Sequence, residues 1–498
     1  MFYAKQYLIK PTVLTICLLI AWLGYPYLLN VQPVYLTTDI LIFMLFVLGF
    51  YLIAYIKKTE YLRRPWQTVF HQRRAVISLL VLIVFISIGF FDSIHFRKPL
   101  EKTTNIDTQY SVEVSSLLDE ILYSMKSQHE QSYSAPFALH LYSKESITRD
   151  DGSQVRLYPR LKYAGVHLSS EEELISDVIN TVIYAFLLGL VLSLMVSLVF
   201  VILYSRKKAI SFNKMINQIW RGETDVPWLT FNVTISFIII LISILFSLSE
   251  KYHVFGTDKV GQDVLFLSVK SIRTGLVIGT LTTLIMLPFA VFLGIMAGYY
   301  RGWIDDVIQY SYTVLSSIPG VLLIAAAILS IQVYIANHPE LFETSTDRGD
   351  LRLLALCVIL GITSWSSLCR LLRGETLKLR ELEYVQAATA FGVKNSKILL
   401  RHILPNVIHI ILIIVVLDFS GLVLAEAVLS YVGVGVDPST VSWGNMINGA
   451  RLELAREPAV WWSLVAAFVL MFTLVLSANL FADAVRDAFD PRMQGRST

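Results

Sequence analysis

The sequence predicts an all-α polytopic membrane protein with about ten transmembrane helices. Of its 498 residues, 55% are hydrophobic and only 16% are charged, whereas a soluble domain needs roughly 25% charged residues to cover its surface. The mean hydropathy is +0.61, so most of the apolar surface must face lipid. The net charge of +3 is too small at this length to indicate a nucleic-acid-binding protein. The three cysteines fit neither a disulfide framework nor a metal-ligand spacing.

Ten stretches are mostly apolar over about the 20 residues that a helix needs to cross a hydrocarbon core. These stretches are Thr12–Leu29, Ile40–Ile56, Ala75–Phe91, Thr181–Tyr204, Phe231–Ser249, Gly275–Tyr299, Val307–Tyr334, Leu353–Cys369, Val407–Leu429 and Trp461–Phe481. Pro319 interrupts the seventh, which is tolerable where neighbouring helices satisfy the freed carbonyl. No small-residue cleavage site follows the first stretch, so we expect it to be a retained anchor and not a signal peptide.

The short loops that are rich in Lys and Arg all fall on one side of the membrane. They span residues 57–74, 206–221 and 370–401, and the positive-inside rule places such loops in the cytoplasm. With ten spans, both termini are then cytoplasmic. The long segment 92–180 falls on the outer side, with a possible helix at Leu117–Met125 and a possible strand at Val155–Tyr158. It is either a small folded domain or a partly ordered spacer.

The predicted organisation has four parts, with a boundary near Trp228. Residues 1–91 form an N-terminal extension with three helices, and residues 92–180 form the outer loop or small domain. Residues 181–230 hold the fourth helix and a cytoplasmic linker whose polar segment and Pro227 mark the boundary. Residues 231–498 form a six-helix core.

The loop after the eighth span contains a short helical pattern. Between Glu381 and Phe391, the apolar residues Tyr384, Ala387, Ala388 and Phe391 recur at helical spacing and form one stripe. A helix this short cannot span a membrane. It can seat on lipid, enter a groove in a partner, or merely cap the bundle. Gly392 then lets the chain leave the helix in a left-handed conformation.

Several motifs resemble one protein family when read in order. The pattern Glu383-Tyr-Val-x-Ala-Ala-x-Ala-x-Gly392, followed by Arg401-His-Ile-Leu-Pro-Asn406, is similar to the EAA loop (381–406) of ABC importer permeases. It most resembles the C-type subunit of the dipeptide and oligopeptide branch. Further segments fit the same branch, namely Gly256–Asp263, Gly298–Asp305, Ser430–Gly435 with Ser442–Met446, and Asp483–Arg492. Gln386 stands in place of the family's glutamate, and the first 230 residues lie outside the resemblance.

The resemblance implies a permease subunit of an ATP-driven importer in the bacterial inner membrane. Peptides are the commonest cargo of this branch, whose subunits form half of a pore. The chain has no phosphate-binding Gly-x-x-x-x-Gly-Lys-Ser/Thr motif, so we expect a transport subunit without catalytic residues, metal or cofactor of its own. ATP would be used by two separate ATPase subunits. The other implied partners are a second, different permease subunit and an extracytoplasmic substrate-binding protein.

The resemblance also assigns candidate site residues. The ATPase-coupling set comprises Glu383, Tyr384, Ala387, Ala388, Phe391 and Gly392. In this hypothesis the small residues allow close seating against the ATPase, and Glu383 makes a polar contact with it.

The outer segment Gly256–Asp263 resembles a part near the docking surface for the binding protein, although Thr257, Asp258 and Asp263 are equally suited to capping a helix that precedes the sixth span. Asp418, in the ninth span, is expected either to line the pore or to hydrogen-bond a neighbouring helix. Glu426 lies near the outer end of that span, where we expect water to solvate it. The sixth span contains four glycines, which predict tight helix packing: Gly275, Gly279, Gly294 and Gly298.

Other classes of function remain as alternatives. An ion-coupled secondary transporter would need several ionisable groups at mid-depth, and Asp418 is the main candidate. A membrane sensor or assembly module with a permease-like core is a second alternative. An intramembrane enzyme is disfavoured because the sequence contains neither His-Glu-x-x-His nor Gly-x-Ser-x-Gly.

Overall fold

A computed structural model gives the fold of most of the chain. It describes Thr15, Gly24 and residues 31–100, 110–148, 154–208, 212–221, 226–341 and 344–489. The predicted first span, Thr12–Leu29, therefore lies outside the described residues apart from two positions, as does the end of the C-terminal motif at Arg492.

Nine helices in the described ranges are long and apolar enough to cross a membrane. In chain order these are α1 (Thr37–Lys58), α3 (Arg73–Asp92), α6 (Glu173–Lys208), α8 (Trp228–Ser249), α9 (Val264–Tyr300), α11 (Gly320–Asn337), α12 (Ser345–Arg380), α15 (Leu404–Tyr431) and α17 (Trp462–Phe489). Each overlaps one of the nine predicted spans in this part of the chain, and the all-α fold class is confirmed. Most are longer than predicted, because a helix continues past the hydrocarbon core into the polar interface, where hydropathy falls.

The remaining helices are shorter and connect the spans. They are α2 (Glu60–His71), α4 (Leu117–Ile121), α5 (Tyr123–Ser127), α7 (Phe212–Arg221), α10 (Trp303–Ser317), α13 (Glu383–Ala390), α14 (Asn395–Ile398) and α16 (Trp443–Glu453). A π-helical turn, Leu399–Ile403, joins α14 to α15 immediately before Pro405, whose missing N–H weakens the regular helical ladder at this point.

The prediction of one continuous seventh span at Val307–Tyr334 was wrong. The chain forms α10, becomes extended at Ile318 (ψ 129°), and restarts as α11 with Pro319 at its N-cap. Proline disfavours helical geometry in the residue before it, so the helix ends at Ser317. Only α11 qualifies as the membrane span here.

The described residues of the long outer loop, 93–100, 110–148 and 154–172, form a small domain at one end of the bundle. Strand β1 (Gln32–Val34) pairs antiparallel with β2 (His95–Arg97), which pairs with β3 (Ser115–Ser116). A separate hairpin consists of β4 (Glu145–Thr148) and β5 (Gln154–Leu157). The predicted helix near Leu117–Met125 is present as α4 and α5, and the predicted strand near Val155 is β5.

The N-terminal extension packs into the helical core. Phe85 of α3 is buried in one cluster with Ile272 of α9, Val423 of α15 and Trp443 of α16. At the opposite end of the bundle from the small domain, Leu62 and Val69 of α2 pack against the end of α17. The described part of the extension, residues 31–91, thus belongs to the hydrophobic core, while the predicted division into four domains stays a prediction.

Candidate functional site

The predicted coupling helix exists as α13, at the end of the bundle opposite the small domain. It starts directly after α12, with Leu382 in an extended conformation as its N-cap. It ends at Gly392, whose φ of +71° favours glycine because a Cβ is disfavoured in the left-handed region. The N–H of Gly392 donates to the carbonyl of Thr389 (3.0 Å), and the N–H of Val393 donates to that of Ala388 (3.1 Å). These two bonds form a complete Schellman cap.

The stripe that the sequence predicts on α13 faces outward. Tyr384 is 44% exposed and Phe391 is 87% exposed, and Ala387 is exposed as well. The side that contacts the bundle consists of Val385, which is 1% exposed, and the partly buried Ala388. Val385 was missed because helical periodicity identifies a stripe without showing which face meets the rest of the chain. Glu383 is also exposed, so the predicted coupling residues lie on the free surface except for Ala388.

Polar contacts fix the helices on either side of α13 to α9 and α10. Arg373 of α12 makes a two-pronged ion pair with Asp305 of α10, with Nε–Oδ1 at 2.5 Å and Nη2–Oδ2 at 2.6 Å. Arg380, the last residue of α12, donates to the backbone carbonyl of Tyr299 (2.6 Å). The Tyr299 hydroxyl donates to Asn395 Oδ1 (3.1 Å) on the far side of α13. The Gly298–Asp305 motif is therefore the fixed support of the coupling segment, a role that its sequence did not reveal.

Close packing of α9 against α12 supports the same region. A Cβ at Gly298 would lie 2.7 Å from the Arg373 carbonyl oxygen, and one at Gly294 would lie 2.8 Å from that of Cys369. Real Cβ atoms do not approach backbone that closely, so glycine is required at both positions. The predicted packing role of the sixth-span glycines is confirmed, since Gly275 and Gly279 are similarly crowded by Trp443 and Phe419.

The outer segment Gly256–Asp263 is largely covered by the small domain. Asp263 caps α9 by accepting a hydrogen bond from the Phe266 N–H (3.0 Å). The Asp258 carboxylate caps the turn of its own loop, accepting from the Gln262 N–H (2.8 Å). Burial raises the pKa of Asp258 despite these bonds. Capping is thus confirmed for Asp263, but the helix capped is the sixth span itself and not a helix before it.

The other two candidate residues of this segment, Gly256 and Thr257, contact the small domain and do not cap a helix. The Thr257 hydroxyl donates to the Ser132 carbonyl (2.8 Å) and accepts from the Ser134 N–H (2.7 Å). A Cβ at Gly256 would lie 2.3 Å from the Ser134 carbonyl oxygen. The part of the loop that stays exposed is Lys259 and Val260. The sequence did not show that the segment is covered, because Ser132 and Ser134 lie more than 120 positions earlier in the chain.

A buried ion cluster that the sequence did not indicate locks this junction. His253 Nδ1 lies 2.8 Å from Asp263 Oδ2, and its Nε2 lies 3.6 Å from Glu130 Oε1, with all three side chains at most 2% exposed. Burial alone would lower the pKa of His253, but the hydrogen bond to Asp263 and the negative charges of Asp263 and Glu130 raise it to about 9. The imidazole is therefore charged at neutral pH and holds the small domain against the start of α9.

The two predicted acidic residues of α15 have different surroundings. Glu426 is 1% exposed and accepts a hydrogen bond from the Ser430 hydroxyl (2.8 Å). The expectation that water solvates it was wrong, because the start of α16 folds over it and places Gly444 beside its carboxylate. Asp418 is half-buried, and its Oδ2 has no hydrogen-bond partner in the described part of the chain. No cluster of three or more potential metal ligands occurs among the described residues.

Comparison with known proteins identifies the family. Residues 290–495 match the binding-protein-dependent transport system inner membrane component family. The chain is 31% identical over 242 residues to the glutathione transport system permease protein of Pectobacterium atrosepticum, covering 49% of this chain and 73% of that protein. It is 30% identical over 243 residues to the oligopeptide transport system permease protein of Haemophilus influenzae, covering 49% and 71%.

A further relative and one solved structure complete the comparison. The dipeptide transport system permease protein of Alkalihalophilus pseudofirmus is 31% identical over 242 residues, covering 49% of this chain and 73% of that protein. An inward-facing structure of the MetNI methionine ABC transporter aligns with 44% of this chain and 96% of its own, at 16% identity and a TM-score of 0.34. On the sequence matches, this chain belongs to the binding-protein-dependent inner-membrane permease family and is a transmembrane permease subunit of an importer.

Proposed function

We propose that this permease imports peptides and that α13 transmits the force of ATP hydrolysis from separate ATPase subunits. Relatives are named as oligopeptide, dipeptide and glutathione permeases, which supports a peptide cargo. The observation that carries the coupling role is the outward face of α13. Phe391 is 87% exposed at the end of a helix that the bundle holds firmly from behind. With the exposed Tyr384 and Ala387 on the same stripe it forms an apolar patch outside the membrane spans, and such a patch is suited to docking a partner.

The contacts behind α13 make it suitable as a lever. Val385 is buried among α9, α12 and α15 residues, and the Arg373–Asp305 pair fixes the end of α12 to α10. A push on Phe391 is then passed to the packed helices instead of being absorbed by a loose loop. Packed helices move as rigid bodies, which is how alternating access operates in transporters.

The proposed assembly contains several partners. Two cytoplasmic ATPase subunits would use ATP, a second permease subunit would complete the pore, and an extracytoplasmic binding protein would deliver the cargo. This chain would contribute no catalytic residue and no cofactor. The orientation follows from the basic loops, with α13 and both termini in the cytoplasm and the small domain outside.

The test measures association with the ATPase subunits and peptide uptake in proteoliposomes. We expect Phe391→Ala and Ala387→Trp to reduce co-purification of the ATPase and to reduce uptake at least tenfold, while the amount of inserted permease stays unchanged. Phe472→Ala is the matched control, since Phe472 is a 51% exposed aromatic on a membrane-spanning helix. Unchanged ATPase binding and uptake in both α13 variants would contradict the coupling role.

A further inference from the structure

The joint between the N-terminal extension and the permease core is built around one buried arginine. Arg273, on α9, donates from Nη2 to Asp39 Oδ1 (2.6 Å) and to the Thr38 hydroxyl (2.9 Å), both at the start of α1. Its Nε donates to the Ser93 hydroxyl (3.3 Å) after α3. The guanidinium has five N–H groups, and its Nη1 has no acceptor among the described residues. Two further hydrogen bonds can therefore be made there.

A polar cavity of about 210 Å³ opens beside this arginine on the small-domain side. Its walls combine charged groups from both halves of the chain with the hydroxyls of α12 and of the loop before α16. The charged lining residues are Asp92, His95, Lys270, Arg273 and Asp350. A cavity with this lining is suited to a polar group that carries charges of both signs.

The network of charged residues around the cavity has no net positive charge. Five carboxylates meet in this network, whereas its lysine and arginine cations are Lys126, Lys270 and Arg273. The negative excess is one that a single imidazole, that of His95, hydrogen-bonded to Asp39 at 2.7 Å, cannot reverse. The five carboxylates are those of Asp39, Asp92, Glu113, Asp119 and Asp350. A net anionic group therefore gains no overall attraction here.

Asp350 is the carboxylate of this network without a direct ion pair among the described residues. It is 7% exposed and accepts hydrogen bonds from the hydroxyl and the backbone N–H of Thr38. Arg273 attracts it only at longer range, with the Thr38 hydroxyl between them, whereas a buried carboxylate is normally matched by a cation in contact with it. It lines the cavity, so an ammonium group placed there would supply that direct contact.

A second cavity lies on the other side of Arg273, toward the membrane centre. Its volume is about 360 Å³, and apolar side chains of α1, α3 and α9 line it, including Phe46, Ile53, Phe90 and Leu276. Arg273 lines both cavities. Along α1 the lining runs from Ile42 to Ile53, which at 1.5 Å per residue is about 16 Å, roughly half of a hydrocarbon core. An apolar space at this depth stays free of water and accepts an acyl chain.

We propose that the paired cavities bind a phospholipid whose zwitterionic head group carries a primary ammonium. One acyl chain occupies the apolar cavity between α1, α3 and α9. The phosphate lies beside Lys270 and Arg273, and the ammonium faces Asp350. Such a lipid joins the extension to the permease core, because each half supplies part of both cavities. This inference does not depend on the cargo or on the coupling role of α13.

The test measures which lipids the full-length permease retains after it is purified from membranes of known lipid content. Nanodiscs would contain equal parts of phosphatidylethanolamine, phosphatidylglycerol and phosphatidylcholine, and native mass spectrometry would count the bound lipids. We expect phosphatidylethanolamine to be enriched at least fivefold over both competitors. Phosphatidylcholine tests whether the ammonium must donate N–H hydrogen bonds, because its quaternary ammonium has none. Phosphatidylglycerol tests whether the head group must have no net charge, because it is anionic.

Substitutions at Asp350 and Gly49 distinguish binding of the lipid head group from binding of its acyl chain. Asp350→Asn should remove the enrichment, and Asp350→Glu should restore part of it. Gly49→Leu should abolish retention, because Gly49 lines the apolar cavity and a Cβ there meets open space that a leucine would fill. Leu48→Trp, on a 53% exposed neighbouring position of α1, is the control and should retain the lipid. Equal retention of all three lipids, or enrichment that Asp350→Asn leaves unchanged, would overturn the proposal.

Discussion

Replacing Gly392 should loosen the end of the coupling helix without disturbing the bundle. A Cβ at this position would meet no atom within 4 Å, so the cost of Gly392→Ala comes from its φ of +71° alone. A left-handed conformation costs a non-glycine residue roughly 1–2 kcal/mol, equivalent to a factor of about 5–30 in the population of the capped state. Asparagine tolerates this conformation better than other residues, so Gly392→Asn should lose much less.

Hydrogen exchange of the purified permease measures this directly. The Schellman bonds protect the amides of residues 392 and 393, and we expect exchange there to accelerate about 5- to 30-fold in Gly392→Ala. Gly421→Ala is the control, since Gly421 also has open space around it but lies within α15. Exchange of the alanine variant at the native rate, or of the asparagine variant as fast as the alanine variant, would show that the left-handed conformation at residue 392 does not control this helix end.

Three further perturbations test the packing and ion pairs. His253→Gln should destabilise the small domain by about 3–5 kcal/mol near neutral pH, because it leaves two buried carboxylates without their cation. The folded pKa of about 9 lies above the ordinary value of 6.5, so this stabilisation is complete below pH 6.5 and is lost as pH rises through about 9. Gly298→Val should cost about 1–3 kcal/mol by forcing α9 away from α12, seen as a lower melting temperature. Asp305→Asn should cost about 1–2 kcal/mol, since the pair with Arg373 is only partly buried, and it should reduce uptake.

Each of these has a result that would contradict it. Thermal unfolding of native and His253→Gln protein should converge at alkaline pH, and a constant difference would show that the charge is unimportant. A Gly298→Val melting temperature equal to that of the control Gly421→Ala would show that α9 and α12 are not tightly packed. The double variant Asp305→Arg/Arg373→Asp should recover part of the lost uptake, and no recovery would argue against the ion pair.

Local physical chemistry determines the features of this protein that the sequence predicted correctly. Hydropathy located the nine described spans, because the thickness of the hydrocarbon core sets the number of apolar residues that a helix needs. The pattern around Tyr384 predicted a short helix, and Gly392 predicted its end, since both depend on neighbouring residues alone. The break at Pro319 was recognised as an interruption but not as the start of a separate helix.

Contacts between distant residues were decided only by the tertiary structure. Val385 and not Tyr384 faces the bundle, because periodicity has no direction until neighbouring helices pack against it. Glu426 is buried by α16, and Gly256 is covered by Ser134 from the small domain. The sequence by itself therefore determined where the helices cross the membrane and that a coupling segment exists. Only the fold decided which charges are paired and which faces are free, because burial and ion pairing depend on residues that are brought together from far along the chain.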